Sequence, residues 1–413
     1  MSRATSIDPK RAPLSRGFLL LGPAFVASIA YVDPGNVAAN VSAGAQFGFL
    51  LVWVIVLANV MAGLVQFLSA KLGLVTGRSL PEAVADSSRR STRIAYGMQA
   101  ELVAMATDLA EVVGGAIALY LLFDLPLLLG GIITGAVSLV LLLIQDRRGQ
   151  RMFERVITGL LLVIAIGFIT SLLVDPPSVS QVAPGLIPRF DGAESVLLAT
   201  AMLGATVMPH AVYLHSGLAR DRHGHPAAGE PRRRLLRITK WDVTLAMLIA
   251  GAVNLSMLLV AATHLQGREN TDSIEGAHAA VEETLGPTIA LFFAIGLLAS
   301  GLASTSVGAY AGAMIMQGLL KVSIPVIVRR VVTLIPALVI LGVGFDPSRA
   351  LVLSQVVLSF GIPFALIPLI RLTSDAGLMG ADVNRRLTTA FGWAVAAVIS
   401  VLNVVLIYLT VTG

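Results

Sequence analysis

The sequence predicts an all-α polytopic membrane protein: eleven transmembrane helices, arranged as two five-helix halves followed by one additional helix. Three observations carry that expectation: an apolar composition, apolar stretches of bilayer length repeated along the chain, and basic residues confined to alternate loops. Of 413 residues, 56% are hydrophobic and 13% charged, where soluble domains carry about 25% charge. So little charge could not cover a water-facing surface, so most apolar side chains must face lipid. Cysteine is absent, which removes disulfides, thiolate ligands and cysteine nucleophiles together. Any metal site must use oxygen, nitrogen or thioether.

In chain order the apolar stretches run over 17–42, 47–70, 96–122, 126–144, 154–174, 193–218, 241–264, 288–319, 331–343, 350–371 and 388–411. Most approach the ~20 residues that span a bilayer; the ninth is short and contains Pro336. The first could be mistaken for a secretory signal, but it holds Asp33, Pro34 and Asn36 and many spans follow, so it reads as retained. The whole chain reads as one membrane domain, with halves over 17–174 and 193–371 and the extra helix over 388–411.

Loop charge tests this order independently, because Lys and Arg collect on the cytoplasmic side of short loops. Basic residues fill the N-terminal tail (Arg3, Lys10, Arg11, Arg16) and every second connection after it. In all, 26 lie on one side and three, Arg189, Arg268 and Arg349, on the other. A missed or extra span would scramble that alternation. The reading is a multi-pass protein of a bacterial cell (inner) membrane, N-terminus cytoplasmic and C-terminus extracytoplasmic, taken as a monomer with the lipid bilayer as its surroundings. The Arg232–Arg234 run obeys the same rule and needs no nucleic-acid partner.

Ionisable and strongly polar groups at membrane depth are costly and mark functional candidates. Four places stand out: Asp33-Pro34-Gly35-Asn36 in span one; Glu101, Asp108 and Glu111 in span three; Met208-Pro209-His210 in span six; and Gln355 in span ten. Proline has no N–H, so each break orphans the carbonyl four residues earlier, Ala30 for Pro34 and Ala205 for Pro209. A free carbonyl in hydrocarbon is tolerable only where it lines a cavity or meets an ion. The breaks fall at corresponding positions of two five-helix halves, the pattern of an inverted-repeat transporter with a midplane site. The donors beside them are the Asp33 carboxylate, the Asn36 amide oxygen, the Met208 thioether and the Ala30 and Ala205 carbonyls. That mixture suits Mn2+, Fe2+, Co2+, Zn2+ or Cd2+ over hard Mg2+ and Ca2+. A methionine in an apolar helix usually packs; its place before Pro209 is what raises Met208.

These residues resemble the natural resistance-associated macrophage protein (Nramp) family, whose bacterial members are proton-coupled manganese transporters. DPGN at 33–36 and MPHAVYLHS at 208–216 look like its two signatures, ATDLAEVVGGAIAL at 106–119 like its third helix, and SGLASTSVGAYAGAMIMQG at 300–318 like its transport motif. Ala211, Leu302 and Ala313 depart from residues common in relatives, and none is a proposed ligand. The resemblance implies a LeuT-type 5+5 fold with helices one and six unwound, and import of Mn2+ or Fe2+ with protons. Its implied metal ligands are Asp33, Asn36, Met208 and the Ala30 and Ala205 carbonyls, with Gln355 joining in some conformations. The metal ion and proton are cargo; no resident cofactor is implied. A magnesium-transporting branch of the family lacks the Asn and Met ligands, so Asn36 and Met208 argue against it.

Glu101, Asp108 and Glu111 fall on one face of span three. Like-charged carboxylates in a low dielectric cannot all ionise cheaply, which suits proton carriage; shared hydrogen bonds between packed helices are the structural alternative. The resemblance implies a relay role for His210 and salt bridges from Arg329 and Arg330 to the acidic helix, completing a pathway with Asp33. His215, His223, His225, His264 and His278 sit near span ends or in loops and receive no role.

An enzyme finds no support, since HExxH, GxSxG and GxGD-like motifs are all absent. A channel would call for repeated pore-lining rings rather than one asymmetric ligand set. The nearest rival is a sodium- or proton-coupled organic-solute symporter on the same fold, where Asp33 would repel a substrate carboxylate and a thioether would do little for Na+.

Overall fold

The structure, a computed structural model, describes residues 22–148, 150–268, 273–322 and 324–412. The basic N-terminal tail and the first residues of span one lie outside the described residues, as do the side chains of Arg147, Arg148 and Arg151. Among the described residues the regular structure is helical throughout. Span one comprises α1 (Pro23–Ser28), a 3-10 turn (Ile29–Val32) and α2 (Pro34–Phe47). A second 3-10 turn over Gly48–Leu51 leads into α3 (Val52–Thr76) and the short α4 (Leu80–Ser87). Then come α5 (Arg90–Phe123), α6 (Leu127–Arg148), α7 (Gln150–Val174) and α8 (Val179–Val182). Span six is α9 (Gly192–Thr206) and α10 (Pro209–His223). The rest of the chain forms α11 (Glu230–His264), α12 (Ile274–Leu285), α13 (Pro287–Ile315, extended by a π turn to Leu320), α14 (Val326–Gly342), α15 (Pro347–Thr373), α16 (Ala376–Met379) and α17 (Arg386–Thr412).

Eight helical segments among the described residues are long and apolar enough to cross a membrane by themselves. Counting by length and hydropathy gives fewer than eleven: α6 is counted only over its described side chains, Leu127–Val140, and the other two shortfalls have physical reasons. The break at Asp33 leaves Pro23–Val32 short, and α2 and α3, joined by one 3-10 turn, form a single apolar stretch of 43 residues. Helix α14 has 17 residues and starts at Val326, five before the expected 331, so Arg329 and Arg330 lie inside it. Helices α5 and α11 likewise extend well before their apolar stretches, carrying basic first turns.

Burial separates centre from periphery. The most apolar window of Gly192–His223 is 94% buried, that of Arg386–Thr412 only 28%. On α14 the exposed positions Val328, Val331, Val332, Ile335 and Val339 recur at helical spacing, an apolar stripe that fits lipid. The packing partners repeat when the chain is advanced by five spans: α2 lies on α11 as α10 lies on α3, and α15 lies on α5 as α7 lies on α13.

Small residues let the inner helices touch. A Cβ added to Gly44 of α2 would lie 2.5 Å from the Leu258 carbonyl and 2.7 Å from the Ala261 Cβ on α11. Both obstacles are backbone or bound tightly to it, so neither can swing away. Gly44→Val should therefore lower stability by about 1–3 kcal/mol, the usual cost of overpacking. Thermal unfolding in detergent reads this out, and an unchanged melting temperature would show that α2 and α11 separate freely.

Candidate metal centre

Pro34 and Pro209 each open the second half of a broken span, as first residues of α2 and α10. Ahead of them the chain leaves the helix: Asp33 is extended at φ −69°, ψ 165°, and Met208 turns to φ −57°, ψ 121°. Asp33, Asn36, Met208, Ala205 and Gln355 are fully buried and Ala30 is 1% exposed.

The two breaks are tied to each other. Asn36 Nδ2 donates to the Ala205 carbonyl at 3.0 Å and to the Tyr31 carbonyl at 2.8 Å. Since both partners are acceptors, the side chain must offer them its NH2, which turns Oδ1 the other way. There Asn40 Nδ2 approaches at a long 3.5 Å, and Asn40 also donates to Asn254 Oδ1 at 3.3 Å. Asn254 Nδ2 donates to Tyr31 at 2.8 Å, and the Ser300 hydroxyl to the Val32 carbonyl. Side chains of α2, α11 and α13 thus satisfy the backbone that the first break lays open, as burial requires.

Asp33 divides its oxygens. Oδ1 caps α2 by accepting from the Asn36 N–H at 2.8 Å; Oδ2 accepts from Gln355 Nε2 at 3.2 Å. Gln355 Oε1 is buried with no hydrogen-bond partner among the described residues. Helix α15 comes this close because Gly35 and Gly204, one beside each break, lack side chains: a Cβ at Gly35 would strike the Gln355 amide and one at Gly204 its carbonyl.

The acidic face of α5 meets the two arginines of α14. Arg330 Nη1 lies 2.6 Å from Asp108 Oδ1 and 3.8 Å from Glu111 Oε2, while its Nε donates to Ser138 at 3.0 Å. Arg329 Nε lies 3.4 Å from Glu101 Oε2. His210 turns toward α5, its Nδ1 3.2 Å from the Thr107 hydroxyl, one residue before Asp108.

Sequence reasoning placed His215 near a span end, without a role. The structure instead buries it completely within α10, Nδ1 2.7 Å from Gln66 Oε1, and Gln66 in turn donates to the Tyr31 hydroxyl. Asn40 and Asn254 also went unassigned. The available signal was polar side chains inside three different apolar stretches, at 40, 66 and 254. Among the described residues no group of three or more His, Cys, Asp or Glu is placed to hold an ion. A cation at the breaks would rely on one carboxylate with amide, thioether and carbonyl donors.

Helices broken at spans one and six, a buried polar centre between them and a lipid-facing rim define a membrane transporter of the LeuT-type class. Residues 24–409 match the family described as natural resistance-associated macrophage protein-like. The Mycobacterium tuberculosis protein named divalent metal cation transporter MntH is 71% identical over 403 residues, 98% of this chain and 94% of that protein. A Klebsiella pneumoniae protein of the same name is 46% identical over 387 residues, 93% of this chain and 92% of its own. The crystal structure of a mutant of the Eremococcus coleocola manganese transporter is similar at TM-score 0.86 and 30% identity, covering 97% of this chain and 89% of that one. Mhp1, a nucleobase-cation-symport-1 family transporter, shares the fold alone, at TM-score 0.60 and 17% identity over 94% of this chain and 92% of that one. The chain belongs to the Nramp family.

One cation serves two carboxylates at Arg330, with Arg330 and Asp108 each 2% exposed. Arg330→Met should cost about 3–5 kcal/mol of stability by stranding Asp108. Adding Asp108→Asn should recover a large part of it in thermal unfolding; a double variant no more stable than the single would place the loss elsewhere than in stranded charge.

Proposed function

We propose that the chain imports divalent transition-metal ions, Mn2+ with Fe2+, Cd2+ and Co2+ as further cargo, together with protons, by alternating access. The observation that carries this reading is the Asn36–Ala205 bond, which joins two helix breaks flanked by Asp33 and Met208 in a buried centre. The printed names of the relatives, divalent metal cation transporter and manganese transporter, point the same way. In this reading the ligands are Asp33, Asn36, Met208, the Ala30 and Ala205 carbonyls and, in some conformations, Gln355.

An arriving ion takes Asp33 Oδ2 from Gln355 Nε2, and Gln355 turns its unpartnered Oε1 toward the centre. Asn36 rotates its NH2 away from Ala205, so the carbonyl and Oδ1 both become donors to metal. The Met208 sulfur supplies the soft donor that favours Mn2+ over Ca2+. A proton leaves Asp33 or His210 and passes Asp108 and Glu111 toward Glu101, with Arg329 and Arg330 holding the carboxylates. The two halves, 17–174 and 193–371, rock about the fixed site, and the packing that repeats on a five-span shift supports that division. The setting is the cell membrane, with the N-terminus cytoplasmic, the C-terminus extracytoplasmic and the protein a monomer.

Reconstituted liposomes test this directly. Saturable Mn2+ and Cd2+ entry accompanied by internal acidification, lost in Asp33→Ala, is the expected result; no metal entry by folded protein overturns the reading. Met208→Ala should shrink discrimination of Mn2+ over Ca2+ by about tenfold, ~1.4 kcal/mol, and unchanged discrimination would remove the thioether from the ligand set. Asp108→Asn should carry Mn2+ with weakened acidification; intact coupling would move the proton route elsewhere.

A further inference from the structure

The seam between α5, α13 and α14 is built around two glycines that the metal centre does not use. Gly308 and Gly312 stand four apart on α13, one turn on the same face. Helix α13 runs antiparallel to α5, since Gly301 packs beside Gly115 while the Leu320 end packs on Gly97. Successive turns of α13 therefore follow the acidic face of α5 from Glu111 toward Glu101.

What faces these glycines is unlike what faces Gly44, Gly73 or Gly204, whose missing Cβ makes room for backbone of a neighbouring helix. A Cβ on Gly308 would lie 2.8 Å from Glu111 Oε1, 3.5 Å from its Cδ and 3.6 Å from Oε2, the carboxylate alone. At Gly312 the three nearest atoms all belong to the Arg329 guanidinium. Glu111 is fully buried; among the described residues neither oxygen meets hydrogen-bond geometry, although the Thr305 hydroxyl lies beside the carboxyl, and its ion pair with Arg330 is a long 3.8 Å against 2.6 Å for Asp108. The Thr305 hydroxyl, one turn before Gly308, is committed to the Gly301 carbonyl at 2.7 Å. Arg329 Nη2 is likewise buried without a partner. Two charged side-chain ends at membrane depth, each with only long ion pairs, thus sit in space that α13 leaves.

We propose that Gly308 and Gly312 are positioning residues for the proton route, forming the floor of a groove that seats the Glu111 carboxylate and the Arg329 guanidinium. The groove fixes where each stands relative to Arg330, Asp108 and Glu101. A methyl group at either glycine meets the end of a flexible charged side chain first, which can give way while the helices keep their places. This rests on the proton-coupled reading above for its functional meaning, while the seat itself is a matter of packing.

The test uses full-length protein as wild type, Gly308→Ala, Gly312→Ala, Glu111→Asp and Gly308→Ala with Glu111→Asp. Gly342→Ala serves as control, since nothing lies within 4 Å of its added Cβ. Mn2+ entry and internal acidification are recorded together in liposomes. Gly308→Ala and Gly312→Ala should lower the proton-to-manganese ratio to roughly half or less of wild type, as small misplacements of reacting groups do, with Gly342→Ala unchanged. Shortening Glu111 by one methylene makes room for the new methyl, so Glu111→Asp should raise the ratio of Gly308→Ala; a wild-type ratio in both glycine variants, or no such gain, overturns the proposal. Melting temperatures of the four proteins built from Gly308→Ala and Glu111→Asp form a cycle that is independent of transport. Non-additive values support the seat and additive ones overturn it, even if wild type carries Mn2+ without acidification and the coupling reading falls.

Discussion

The centre of this molecule is organised by two helix breaks, each followed by a proline that lacks an N–H. Pro34 and Pro209 cannot close their helical turns, and hydrocarbon offers no water to stand in. The exposed backbone finds partners inside the protein: Asn36 reaches Ala205, the carbonyl that Pro209 frees, and Asn36, Asn254 and Ser300, drawn from three helices, take up the Tyr31 and Val32 carbonyls at the first break. That obligation fixes where α2, α11 and α13 stand relative to the breaks. It also gathers polar groups at the breaks, so under the proposed function the demand for satisfied carbonyls and the capacity to bind metal become one property.

A second feature is that the α5 carboxylates and the two arginines stand off the breaks yet within reach. His210, the second residue of α10, turns to Thr107, which adjoins Asp108, so the start of α10 reaches from the broken span to the charged seam. The seam is anchored by Arg330 at its centre, through a short ion pair to Asp108 and a longer one to Glu111.

Much of this was legible in the sequence. The breaks announce themselves through Pro34 and Pro209 beside Asp33 and Met208, and the loop charges order the spans around them. The partnerships were not legible: Asn40, Asn254, Gln66 and His215 each read as single polar residues in apolar stretches, and only folding reveals which carbonyl or ring each one meets. Hydropathy also cut α14 short, because Arg329 and Arg330 look like loop charge until α5 is seen to bury carboxylates against them. Gly308 carries no signal of its own in the sequence, since a glycine does not declare what it makes room for.

The Asn36–Ala205 bond also bears on the return leg of the cycle. Under the proposed function, Asn36 gives up this bond to the metal ion and can remake it after the ion has left. A carrier able to close in that way need not exchange its cargo to reset. Net accumulation and one-for-one exchange would then be separate rates, with the strength of one side-chain bond contributing to the balance between them.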